Sequence, residues 1–163
     1  MGIGALVSSI VTDNSLLSNP IDVATEKWID SRRYLAPNGS LIRTHPIGVI
    51  GVSMSEEETW KLSVEIRRVT HVDPRCVVSC RIEVAVIRGL LRGEILDEDG
   101  VNECIERSYD LVKAQPELMN PGLDESLMEE QIEALLNRKE FEKHVFMRRL
   151  WRNWSLMIGM QSR

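Results

Sequence analysis

The stretch that most constrains the fold runs from Asp73 to Gly93. Asp73-Pro74 joins an N-cap to a proline at the first helical position, where its missing N–H is no loss. Val77, Cys80, Val84, Ile87 and Leu91 then recur at helical spacing and share one face. Gly93 supplies a C-terminal stop. Ile, Val, Leu and Met are plentiful at similar intervals elsewhere, while aromatic residues make up only 5% of the chain. Together these features predict an all-α domain.

Other helices are expected on either side. Asn19-Pro20 is a second cap-plus-proline start, followed by Ile21, Ala24, Trp28 and Ile29 on one face. From Gly39 the chain turns helical, with Leu41, Ile42, Ile47, Val49, Ile50 and Val52 as core candidates. Pro46 is expected to interrupt this helix, and Gly48 and Gly51 to let another helix approach closely. Ser55 and Glu58 form a capping box for a helix towards Val69, with Trp60 and Val64 inward. A helix over about Glu98 to Gln115 points Val101, Ile105, Leu111 and Val112 inward, and Pro116 to Gly122 reads as a loop. Ser126 and Glu129 cap an acidic helix that buries Leu127, Ile132, Leu135 and Leu136. Ahead of all these, Gly2 to Val7 is apolar with no polar leader, and reads as the inside of a domain.

The tail is different in kind. Met147 to Arg163 has four arginines, two of the four tryptophans, three of the seven methionines and no acid, directly after a Glu-rich stretch. It reads either as a basic amphipathic tail or as a frameshifted segment. The codon table favours the second. Read one base earlier, the Asn153–Trp154 junction gives Leu and the Met157–Ile158 junction gives Asp, and permitted codons elsewhere give an acidic, helix-forming string. The expected organisation is therefore one partial helical domain over residues 1–146 and an atypical tail over 147–163.

Length and charge bound the function. A chain of 163 residues, 43% hydrophobic, can bury one real core. A net charge of −5 gives no electrostatic reason to expect nucleic acid or an anionic membrane as partner. No apolar run reaches membrane-spanning length, and no basic leader precedes one. Cys76, Cys80 and Cys104 lack partners at zinc spacing, so buried free thiols in an intracellular, reducing compartment are expected.

Two similar pieces concentrate the polar chemistry. One runs from Ala36 to Pro46 and the other from Arg68 to Arg75; each ends on Thr-His near a proline. Asn38-Gly39-Ser40 offers backbone N–H groups, an amide and a hydroxyl at a helix start, a generic anion cradle, and Arg43 lies one turn on. Ordinary turn and cap chemistry would use the same residues. His71 stands near Arg68, Asp73 and Arg75, where capping and ion pairing account for those charges as well. Thr44-His45-Pro46 reads as structural rather than as an acid/base site. Cys76 and Cys80, four apart on a helix, read as core.

Taken together, Asn38-Gly39-Ser40-Leu41-Ile42-Arg43, then Pro46-Ile47-Gly48, then Val69-Thr70-His71 and the long apolar helix resemble the central part of the ADP-ribosylglycohydrolase family, most of all its fungal members. The likeness extends more loosely from about Gly2 to His144. It implies an orthogonal all-α bundle built around a pair of magnesium ions. The implied reaction is hydrolysis of the bond between ADP-ribose and a protein side chain or another ADP-ribose. It also implies that Asn38, Gly39, Ser40 and Arg43 help to build the ADP-ribose pocket, with His71 beside it. The family's metal site uses a Thr-Asp-Asp cluster and a Gly-Asp-x-Asp-Thr cluster, since hard cations need several carboxylate oxygens. Neither is present: Thr12-Asp13-Asn14 reads as a turn, and Asp97-Glu98-Asp99-Gly100 as a helix start. No catalytic or metal-ligating residue is therefore assigned. The expected partners are ADP-ribose or an ADP-ribosylated protein, with neither nucleic acid nor membrane. Three readings follow: an incomplete hydrolase, a non-catalytic helical module that binds ADP-ribose or a protein, or a truncated product whose apolar faces go uncovered.

Overall fold

A computed structural model describes residues 4–37, 39–122 and 128–137. Among these residues the regular structure is entirely helical, apart from turns. The chain divides into two units, Met1–Met128 and Glu129–Arg163. Of the second, the described part is a short helix and its flanks. The predicted cap at Ser126, the buried Leu127 and the whole 147–163 tail lie outside the described residues.

The first unit holds α1 (Ala5–Val11), α2 (Pro20–Asp30), α3 (Gly39–Ile50), a 3-10 turn at Gly51–Ser53, α4 (Glu56–Arg68), α5 (Pro74–Arg92), α6 (Glu98–Lys113) and α7 (Pro116–Met119). The second holds α8 (Glu129–Leu135), followed by the buried Leu136, while Ile132 and Leu135 are half-buried.

Helix α5 is the central element, packed by α3, α4 and α6. Its ends are those the sequence sets: Asp73 accepts from the Arg75 N–H, and Gly93 closes the helix in the left-handed region at φ 69°. Buried positions run round most of its circumference, including Cys76, Val77, Cys80, Ile82, Val84 and Val86, as expected of a helix enclosed by others. The predicted stripe holds at Val77, Cys80 and Val84 and fails at its far end, where Leu91 is 57% exposed. Helix α3, its main neighbour, ends at Ile50, before the level of Leu91, while the 3-10 turn and Ile95 cover the other side of that last turn.

Helices α3 and α5 run in the same direction. Pro37 meets Cys76, Thr44 meets Glu83, and Val52 meets Arg92. The buried face of α3 corrects the expectation. Ser40, Thr44, Ile47 and Gly48 point inward, whereas Ile42 is 75% exposed and Val49 and Ile50 also face out. Close approach explains this: a methyl group on Gly48 would sit 2.7 Å from Ile87 Cβ, and one on Gly51 2.3 Å from Thr59 Cγ2. Small residues are needed against α5 at Gly48 and against α4 at Gly51, so apart from the buried Ile47 the larger apolar side chains turn outward. Pro46 also departs from expectation, because the helix continues through it. Pro46 and Ile42 lie on the exposed side, where water can satisfy the carbonyl that proline leaves without a donor.

Elsewhere the caps hold and the faces shift slightly. The Ser55–Glu58 capping box is formed in both directions. Asp97 caps α6 by accepting from the Gly100 N–H at 2.9 Å. Helix α6 buries Val101, Cys104, Ser108, Tyr109 and Val112, while Leu111 faces solvent. Helix α2 buries Val23, Ala24, Thr25 and Trp28 rather than Ile21 and Ile29, and Pro116–Met119 is a helical turn rather than a loop. On α2 and α6 the predicted stripe holds at Ala24, Trp28, Val101 and Val112 and the buried face is otherwise rotated, because contact with neighbours sets a helix's rotation. Leu6, Ile10, Val23, Ala24, Trp28 and Val72 form a cluster that joins α1 and α2 to the turn before α5. That turn carries His71.

Candidate functional site

The site begins with the segment that leads into α3. After α2, Arg32 and Arg33 both adopt left-handed backbone, at φ 57° and 61°. This conformation is costly for residues other than glycine. The chain beyond is held from α5: Arg75 Nη2 donates to the carbonyls of Arg33 at 3.3 Å and Tyr34 at 3.0 Å. Arg75 is itself held by Asp73, with Nε on Oδ1 at 2.9 Å and Nη2 on Oδ2 at 2.8 Å. Asp73 also accepts from Trp28 Nε1 at 2.8 Å and is 1% exposed. One carboxylate therefore caps α5, pins α2 through Trp28, and fixes the approach to α3 through Arg75. Its neighbour benefits, since the bond from Asp73 raises the pKa of Arg75 above its ordinary value.

Asn38 lies outside the described residues. Gly39 opens α3, and Ser40 is buried with its hydroxyl on the Pro37 carbonyl at 3.5 Å. Cys76 Sγ donates to the same carbonyl at 3.7 Å. Burial pushes the Cys76 thiol up to about 12 and raises Cys80 as well. All three cysteines are buried and free, as expected for packing groups.

His71 meets this helix start. A methyl group on Gly39 would lie 3.7 Å from His71 Nε2 and 3.8 Å from Cε1, so the ring edge faces the first residue of α3. His71 is 2% exposed, its Nδ1 is 2.8 Å from Thr70 Oγ1, and its Nε2 has no hydrogen-bond partner. Desolvation, with Arg43 and Arg67 nearby, lowers its pKa to about 4, so the imidazole is neutral at physiological pH. Arg43 reaches across with Nη2 to the Arg67 carbonyl at 3.2 Å and leaves Nε unpartnered. The fold thus unites Gly39, Ser40, Arg43 and His71 in one corner where α3 begins and α4 turns into α5.

Sequence reasoning missed one member of this corner. Arg67 is 1% exposed; Nη1 donates to the His71 carbonyl, and Nε and Nη2 have no partner. Burial lowers its pKa to about 10. Arg68, the arginine singled out beside His71, is half-buried on a neighbouring face. The signal lay in helical spacing, since Trp60, Ser63, Val64 and Arg67 share the buried stripe of α4.

His45 lies apart from the corner. It is largely exposed, with Nδ1 3.1 Å from Glu83 Oε1, while Thr44 Oγ1 donates to Glu83 Oε2 at 3.3 Å. A small hollow lined by Glu56, Thr59, Trp60, Arg81, Val84, Ala85 and Arg88 shares no residue with the His71 corner.

The described acidic residues serve as caps and ion-pair partners. Among the described residues no three of His, Cys, Asp or Glu converge on one point. Asp13 accepts from the Ser15 N–H at 3.0 Å and pairs with Lys27 at 3.2 Å, an Asx turn, and Asp97 serves as a cap. These groups do not fit a pair of hard cations, which need several oxygens each.

The described fold is all-α, and sequence comparison assigns it a family. The sequence profile of the ADP-ribosylglycohydrolase family matches residues 1–157, and the chain belongs to that family. Its members act on ADP-ribosylated substrates and are in general metal-dependent. The match runs past His144, where the resemblance is expected to stop, and into the tail. No curated protein and no solved structure matches the chain. Among the described residues, no helix is long and apolar enough to cross a membrane.

Proposed function

We propose that this chain carries the ligand-holding part of an ADP-ribosylglycohydrolase pocket, with Asn38, Gly39, Ser40, Arg43 and His71 as its ADP-ribose contacts. The observation that carries this reading is the meeting of His71 Nε2, buried and unpartnered, with Gly39 at the start of α3. Free N–H groups and the positive end of a helix dipole favour a phosphate there. A neutral imidazole adds one hydrogen bond without competing charge.

In this reading the 163 residues do not hydrolyse ADP-ribosyl linkages on their own, because they lack the Thr-Asp-Asp and Gly-Asp-x-Asp-Thr carboxylates that would bind magnesium. The chain acts as an ADP-ribose-binding module, or as one part of a hydrolase whose metal ligands lie elsewhere. Isothermal titration with ADP-ribose tests this. Binding that disappears on Asn38→Ala with Ser40→Ala supports it, and no heat at millimolar ligand removes it. Magnesium-dependent release of ADP-ribose from a modified protein by the purified chain would overturn the non-catalytic part.

A further inference from the structure

Arg67 is the least explained buried charge in the described structure. A guanidinium out of water normally has a carboxylate partner, because an unpaired buried charge is strongly disfavoured. The nearby acid, Asp73, is taken up by Trp28 and Arg75. What Arg67 does contact is His71, from both sides of its main chain. The Arg67 carbonyl accepts the His71 N–H at 2.9 Å, and the Arg67 guanidinium donates to the His71 carbonyl. The same Arg67 carbonyl accepts from Arg43 on α3 at 3.2 Å, which ties the start of α3 to the histidine turn. With Thr70 on Nδ1, these bonds leave Nε2 as the one ring nitrogen free to meet a ligand at Gly39.

We infer that Arg67 is a positioning residue for the ligand corner: it clamps the backbone of His71 so that the ring edge stays aimed at the first turn of α3. The inference rests on the reading of that corner as an ADP-ribose site. Arg67 also has an electrostatic part. The charged groups acting on His71 are Arg43 from α3, Arg67 from α4 and Asp73 from the turn, while the Cys76 and Cys80 thiols of α5 act on Arg67. The thiols stay protonated, and Asp73 is paired with Arg75. Burial is the main cause that disfavours the imidazolium, and the two arginines, Arg43 ahead of Arg67, add to it. Their positive potential remains available to a diphosphate while the histidine itself stays an uncharged hydrogen-bonding group.

The test uses Arg67→Met and Arg67→Lys in the full chain, with thermal melting, titration of the His71 ring by NMR (assigned with His71→Gln), and ADP-ribose affinity. Arg67→Met removes both the clamp and the charge; the His71 pKa should rise, and affinity should fall about tenfold. Arg67→Lys keeps the charge but loses the fork; the titration should stay low while affinity still falls. A folded Arg67→Met protein with unchanged His71 titration and unchanged affinity overturns the inference. Should Arg67→Met fail to fold, Arg67→Lys decides: parental affinity in that variant overturns the clamp. Absence of ADP-ribose binding by the parent would remove the reading of the corner, and the NMR titration would still decide whether Arg67 governs His71.

Discussion

The two ends of α5 handle buried arginine in opposite ways. Towards its C-terminal end, Arg88 is almost fully buried, yet it donates to the Met54 carbonyl through Nε and Nη2 and to Glu94 through Nη1. Arg81, two turns earlier, pairs with Glu56 at 3.1 Å and stacks 4.7 Å over Trp60. At the N-terminal end, Arg67 and Arg43 contact only backbone carbonyls, and three of their nitrogens, with His71 Nε2, have no partner. Arg81 also leaves Nε unpartnered, but it and Arg88 each face a carboxylate, whereas Arg67 and Arg43 are held by backbone carbonyls alone. Positive charge left unbalanced in a folded interior is a mark of a place prepared for something else.

The contrast can be broken or sharpened by substitution. The largest effect is expected at the hub of the N-terminal end. Asp73→Ala uncaps α5, strands Trp28 Nε1 and releases Arg75, so chemical denaturation should show a loss of about 3–5 kcal/mol. Acidification comes next. His71 has a folded-state pKa of about 4, below the ordinary 6.5, so between those values the unfolded chain binds the extra proton. The stabilisation is complete above pH 6.5 and is lost as pH falls towards 4. Denaturation curves across that range should show a decline of up to about 3 kcal/mol that His71→Gln lacks.

Arg88→Met should then cost about 1–3 kcal/mol, because it leaves the Met54 carbonyl without its donors. Arg67→Met should change ligand-free stability by no more than about 1 kcal/mol, since it removes an unbalanced cation along with one hydrogen bond. Equal losses for these two variants in parallel thermal melts would erase the distinction between the ends. Smallest of all, Glu57→Ala at the exposed Glu57–Lys61 pair should leave the melting temperature where it is.

Much of the framework is legible in the residues themselves. Asp73-Pro74 and Gly93 bound α5, Ser55 with Glu58 starts α4, and Asp97 starts α6, because caps satisfy backbone groups locally. The helix faces are less so. On α3 the residues that look like core turn outward, because closeness to α5 selects for small side chains and periodicity counts only apolar ones. In the corner, Gly39, Ser40, Arg43 and His71 stand out as polar groups beside helix starts. Arg67 does not, since arginines are ordinarily surface residues and nothing local marks one as enclosed.

The contact at Gly48 reaches further than packing. Helix α3 is a stiff rod pinned to α5 at that point, and Gly39 stands at its tip, nine residues away or roughly 13 Å along the axis. Its other ties, Thr44 to Glu83 and Arg43 to the Arg67 carbonyl, carry any displacement there on towards the tip. A separation forced at Gly48 thus shifts the tip, where the gap to His71 is set. One adjustment of the ligand corner therefore lies at a position that no ligand there would touch, and a map of ligand contacts alone would pass it by.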